Sequence, residues 1–207
     1  MLRLEMKRLS AEMNATLDKL ALFGYSAFWL EAGLITPAFL DRQVKEFNDG
    51  LDEHSEHYRY AAFIRWVDGK ESFTHDEISA FMILIRDDSD PDMAESAAFR
   101  LLNHPRLTDD QFERLSGFIV EYADGSRSKL MARAVLLRRL KKSDTVSPEE
   151  FAECLQEGDG AVHAYLLDTF SQNNPEFLSQ LAEKGANKKI RNRARVRYLA
   201  LARSLQK

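Results

Sequence analysis

Three copies of one six-residue pattern constrain this chain more than any other feature. They are Phe73-Thr74-His75-Asp76-Glu77-Ile78, Leu107-Thr108-Asp109-Asp110-Gln111-Phe112 and Val146-Ser147-Pro148-Glu149-Glu150-Phe151. Each sets Ser or Thr three positions before Glu or Gln, inside a pair of apolar residues, and that arrangement starts an α-helix. The hydroxyl oxygen accepts an orphan backbone N–H, the Glu or Gln reaches back to the cap's own N–H, and the apolar pair fixes the entry angle of the chain. The capping residues stand 34 and 39 residues apart. One such signal marks a local turn, whereas three at this spacing mark a repeated unit.

The stretches between the copies repeat as well. Tyr60-Ala61-Ala62-Phe63 and Ser96-Ala97-Ala98-Phe99 lie 36 residues apart and precede the first two copies. Each repeat therefore reads as an Ala-rich first helix, a short connection and a boxed second helix. Core positions of the second helices align as Ile78, Phe81 and Ile85, then Phe112, Leu115 and Ile119, then Phe151 and Cys154. Asp90-Pro91, Gly125-Ser126 and Asp159-Gly160 punctuate the first helices. Asn174-Pro175 opens a compressed last second helix that Gly185 stops.

Upstream, Met6, Leu9, Met13, Leu17 and Leu20 recur with the 3.6-residue period of an amphipathic helix. Phe23, Tyr25, Phe28 and Trp29 follow around Gly24 and are expected to form the first buried layer. Thr36-Pro37 starts another helix, which Asn48-Asp49-Gly50 ends. Downstream, Ile190, Ala194, Leu201 and Leu205 line a closing helix. The expectation is an all-α chain of about ten or eleven helices without a sheet, forming one repeat domain over 1–207. Residues 1–53 supply N-terminal helices, 54–186 the helix pairs and 187–207 a capping helix. No Pro/Gly/Ser-rich linker divides them.

Paired helices at a period in the mid-thirties resemble the HEAT/armadillo class of helical repeats, especially the short, degenerate HEAT-like arrays of bacterial proteins. The resemblance covers roughly residues 54–205. It implies a right-handed α-solenoid of antiparallel helix pairs whose stacked second helices expose an extended binding surface. Tetratricopeptide and ankyrin signatures are absent.

Composition sets the compartment. Among 207 residues, 44% are hydrophobic and 30% charged, an ordinary balance for a globular protein. The single cysteine, Cys154, forms no intramolecular disulfide. The longest apolar run, Ala80 to Ile85, is far below the ~20 residues a membrane helix needs. These features point to a cytoplasmic protein that does not enter a membrane.

Candidate chemistry is sparse. His54 and His57, three residues apart in Asp52-Glu53-His54-Ser55-Glu56-His57, are the candidate metal pair, although no second ligand helix matches them. Cys154 occupies a core slot, and neither His104 nor His163 has an acid–nucleophile partner in sequence. No phosphate loop, Cys-x-x-Cys pair or hydrolase motif occurs. No catalytic residue and no cofactor is expected.

Two cationic runs are more informative. Arg127, Lys129, Arg133, Arg138 and Arg139 fall in Ser126–Lys142, and Lys188, Lys189, Arg191, Arg193, Arg195 and Arg197 in Ala186–Lys207, neither run containing an acid. The HEAT-like DNA glycosylases of bacteria grip a duplex backbone with such a surface, and nucleic acid is accordingly the alternative partner. The chain as a whole is acidic, with net charge −4, and Trp29 and Trp66 lie in the acidic half.

The principal expectation is a non-enzymatic protein-binding module of adaptor, regulatory or immunity type. Its candidate contact residues are the polar positions of the second helices: His75, Asp76, Ser79, Asp109, Asp110, Glu113, Arg114, Glu149 and Glu153. Their acidic bias points to a partner with a basic surface. The boxes themselves are scaffold. Thr74→Ala and Thr108→Ala should each cost about 1 kcal/mol in chemical denaturation and leave partner binding unchanged.

Overall fold

The computed structural model describes residues 2–122 and 128–204, with side chains from Ser10 onward except that of Ser128. Among these residues it contains twelve α-helices and no strand. They are α1 (Leu2–Phe23), α2 (Phe28–Glu31), α3 (Pro37–Asn48), α4 (Ser55–Asp68), α5 (His75–Asp87), α6 (Pro91–Leu102), α7 (Asp109–Tyr122), α8 (Ser128–Lys142), α9 (Pro148–Glu157), α10 (Gly160–Thr169), α11 (Pro175–Lys184) and α12 (Lys188–Ser204). The protein is all-α. The single turn α2 exceeds the expected number of helices. Packing divides the chain into two units, residues 1–124 and 125–207.

Local chemistry sets the helix starts. Thr36, Thr74, Asp90, Ser147, Asp159 and Asn174 each accept a backbone N–H from the first turn of the helix they precede. The reciprocal boxes form at Thr74–Glu77 and Ser147–Glu150. At the third, Gln111 N–H donates to Thr108 Oγ1 at 3.3 Å, and Thr108 N–H donates to Gln111 Oε1 at 3.1 Å. Gln111 also does something a glutamate cannot. Its Nε2 donates to the Phe73 carbonyl at 2.7 Å, joining the start of α7 to the start of α5.

In the first unit, α4 packs on α6 and α5 on α7, while α6 touches both α5 and α7. Side-chain pairs give the directions. Arg59 meets Ser89, and Arg100 meets Asp68, so α4 and α6 run the same way. His75 faces Asp110, and Ser79 bonds Arg114, so α5 and α7 also run the same way. First helices thus stack on first helices and second on second. In the second unit, α10 packs on α8 and α12, and α11 packs on α9 and α12.

The core of the first unit is aromatic. Phe23 meets Tyr58, Trp29 meets Phe63, and Phe63 meets Phe81, with centroids 4.7, 4.4 and 5.2 Å apart. Of the expected first buried layer Phe23, Tyr25 and Trp29 are buried, while Phe28, which opens α2, is only half-buried. The α1 stripe is a correction. Leu20 is buried, but Met13 and Leu17 face solvent, because α1 joins α3 and α4 through its last turns. The side chains of Met6 and Leu9, and all of Leu205, lie outside the described residues. In the second unit Phe151 stacks on Phe177 at 3.9 Å, within a cluster that includes Cys154, Leu166, Leu181 and Ile190.

One ionic contact is buried. Arg59 is 4% exposed and its Nε donates to both Asp88 oxygens, at 3.0 and 3.2 Å. Its Nη1 donates to the Phe23 carbonyl at 2.6 Å, and its Nη2 to Ser89 Oγ at 2.9 Å. Gly24, at φ +71°, lets the chain turn directly beside this guanidinium, and a Cβ there would stand 3.1 Å from Nη1. Removing one partner strands a charge away from water. Asp88→Ala should therefore cost about 3–5 kcal/mol in urea denaturation, and the double change Arg59→Met with Asp88→Leu less than that.

Candidate protein-binding surface

The parallel course of α5 and α7 sets their first turns side by side. Asp76 and Glu77 occupy the first turn of α5, and Asp109 and Asp110 that of α7, where the positive helix ends favour carboxylates. His75 Nδ1 lies 3.7 Å from Asp110 Oδ2, and these side chains are 67% and 75% exposed. Arg114 Nη2 donates to Ser79 Oγ at 2.8 Å, while Ser79 Oγ donates to the His75 carbonyl at 2.7 Å. Four expected contact residues, His75, Ser79, Asp110 and Arg114, are therefore assembled into one patch. Asp76, Asp109 and Glu113 are exposed around it.

Apolar residues extend the patch. Ile83 continues the His75–Ser79 row along α5 and is 46% exposed, and Val120, seven residues past Glu113 on α7, is 64% exposed. Sequence reading omitted both because each fits a helix's apolar pattern. Burial alone separates them from Leu84 and Ile119. The remaining two candidates belong to the second unit. Glu149 is exposed in the first turn of α9, and Glu153 is held by Arg139 at 2.7 Å.

The cationic runs are partly used up internally. Arg133 pairs with Asp159 at 3.4 Å, and Arg193 and Arg197 share Asp168 at 2.7 and 2.9 Å. Arg191 donates to the Gly185 carbonyl and Arg197 also to that of Leu167, both at 2.7 Å. Arg138 is engaged as well. Lys129, Lys188, Lys189 and Arg195 face solvent, and Arg127 lies outside the described residues. Val196 and Leu199 are exposed beside Arg195, so the outer face of α12 is not wholly polar.

The reactive candidates are quiet. His57 Nδ1 contacts Asp52 Oδ2 at 2.8 Å and His54 Nδ1 contacts Glu56 at 3.3 Å. Among the described residues no group of three His, Cys, Asp or Glu side chains converges to hold a metal ion. Cys154 is fully buried, and burial pushes its thiol up, outweighing the nearby Arg139. No helix among the described residues is long and apolar enough to cross a membrane.

No protein-family model, curated protein or solved structure matches this chain.

His163 in α10 is buried with both ring nitrogens engaged. Nδ1 accepts the Ala186 N–H at 2.9 Å, so the proton sits on Nε2, which donates to the Cys154 carbonyl at 3.1 Å. A second ring proton would point at the Ala186 N–H, and burial lowers the pKa from the ordinary 6.5. The unfolded chain then binds the proton first, so stability present above about pH 6.5 falls as pH drops toward the folded-state value. Thermal unfolding between about pH 7.5 and 5 should show a larger Tm loss in the wild type than in His163→Gln.

Proposed function

We propose that this chain is a non-enzymatic protein-binding module, a HEAT-like helical scaffold of the bacterial type acting in the cytoplasm as an adaptor, regulatory or immunity-type protein. It takes a partner with a basic surface on the second helices. The observation that carries this reading is the α5–α7 face. Two parallel helices present exposed carboxylates at their starts, with exposed Ile83 and Val120 farther along. A surface of this kind combines apolar area for affinity with charge for orientation.

A second reading rests on Lys188, Lys189 and Arg195, which face solvent on α12 and would contact the phosphates of a nucleic acid.

The two readings separate experimentally. Affinity capture from the native lysate should recover one stoichiometric protein, lost in the Asp109→Lys, Asp110→Lys, Glu113→Lys variant, which keeps its helical circular dichroism spectrum although its Tm falls through the reversed charges at the start of α7. Undiminished capture by that variant would remove the α5–α7 face from consideration. A 24-base-pair duplex should show no saturable binding at low salt. Binding that is tight there, falls steeply with salt and is lost on Lys188→Glu, Lys189→Glu and Arg195→Glu would favour nucleic acid instead.

A further inference from the structure

A groove of about 450 Å³ runs between α3 and α4 in the first unit, away from the residues assigned to partner binding. Its floor carries Phe39, whose ring is covered by two guanidiniums, Arg42 at 5.0 Å and Arg65 at 4.4 Å from the centroid. Contact with the ring holds each guanidinium in place while N–H edges remain for a ligand. Those edges are little used. Among the described residues Arg42 pairs with Glu46 at 3.9 Å, the limit of ion pairing, and Arg65 has no carboxylate partner; Glu46 and Asp52 are the acids that line the groove.

The other end of the groove differs in chemistry. His57 Nδ1 sits 2.8 Å from Asp52 Oδ2, and the backbone N–H of His54 bonds the other Asp52 oxygen at 3.0 Å. The backbone bond from His54, with the contact to His57, holds the carboxyl of Asp52 below its ordinary range, so it stays ionised. His57 and Arg65 are eight residues apart on α4, about 12 Å along the helix. Leu51, 72% exposed, forms an apolar lip.

We infer that this groove binds a carboxylate carried on an apolar body, with the carboxylate on the Arg42–Arg65 pair and the body against the exposed Leu51 and Ala61. Two guanidiniums held over one ring with little-used N–H groups suit a carboxylate, and the apolar lip suits its carrier. The same chemistry arises from a free aromatic or aliphatic acid and from the C-terminus of a peptide ending in an apolar residue.

The test titrates phenylacetate, phenylacetamide, acetyl-Leu-Phe and acetyl-Leu-Phe-amide into the full chain, reading arginine Nε–H and backbone shifts by NMR. Phenylacetate should shift Arg42, Arg65 and residues 51–58 in a saturable way below about 10 mM, with phenylacetamide at least tenfold weaker. Arg65→Ala should weaken binding at least tenfold with an unchanged Tm. Arg65→Lys, which keeps the charge and loses the fork, should fall between. Acetyl-Leu-Phe binding more tightly than phenylacetate, and losing that gain as the amide, would assign the site to peptide ends. The reverse order would assign it to small acids. Absence of saturable shifts for either acid, equal binding of acid and amide, or affinity unchanged in Arg65→Ala would each overturn the inference. Partner capture through the α5–α7 face is read separately and does not depend on the result.

Discussion

The buried guanidinium of Arg59 holds the first unit in register. From its place on α4 it bonds to two other parts of the chain, the end of α1 and the α5–α6 connection. Taking an arginine out of water costs several kcal/mol, and that cost is offset only if nearly every N–H finds an acceptor. Asp88, Ser89 and the Phe23 carbonyl supply them. The arrangement works at one alignment of α4 on α6, because a slide by a single turn would separate Arg59 from all three. Arg100 and Asp68 align the other ends of the same helices, but that pair is exposed and screened, so it follows the register more than it sets it.

Helix starts were legible because a capping box is a local event: the residues that make it are within four positions of one another. Legibility declined with distance. Gln111 was readable as an N3 residue, and its choice over glutamate gains meaning only once the Phe73 carbonyl is known to lie beside it. His75 with Asp110 and Ser79 with Arg114 are each 35 residues apart, one repeat, so two parallel second helices bring them together by the same periodicity that defines the array. Cys154 was placed in the core by the same ruler. Arg59 carried no such signal, since an arginine in an amphipathic helix reads as solvated. The α3–α4 groove had none either, because Phe39 and Arg42 precede the repeats and Arg65, inside the first of them, reads as another solvated arginine.

Charge runs proved a poor guide to surface potential. The cationic segments contain no acid, yet their helices pack against others that do. Asp159 and Asp168 of neighbouring segments and Glu153 of α9 take up Arg133, Arg193, Arg197 and Arg139. A segment free of acids in sequence is therefore not a surface free of acids. What remains outward on α12 is a few cations next to Val196 and Leu199, a narrower and more apolar surface than the acid-free run Ala186–Lys207 implied.

The two surfaces of the first unit differ in how their charge is offset. On the α5–α7 face the carboxylates lie at positive helix ends, and His75 and Arg114 stand among them, so the field they project is weaker than their number. Exposed charges more than about 10 Å from a partner are screened at ordinary ionic strength. Such a face steers and orients a partner while Ile83 and Val120 supply buried area, so affinity there depends on apolar contact and the acids act mainly on encounter rate. In the α3–α4 groove the guanidiniums rest on an aromatic ring, with one acid at the limit of contact. Both guanidiniums are themselves exposed, Arg42 by 56%, so salt screens them as it screens the face. Preference for an acid over its amide therefore rests on two cations held beside one ring acting on the same carboxylate, whereas on the face opposite charges stand side by side and offset each other.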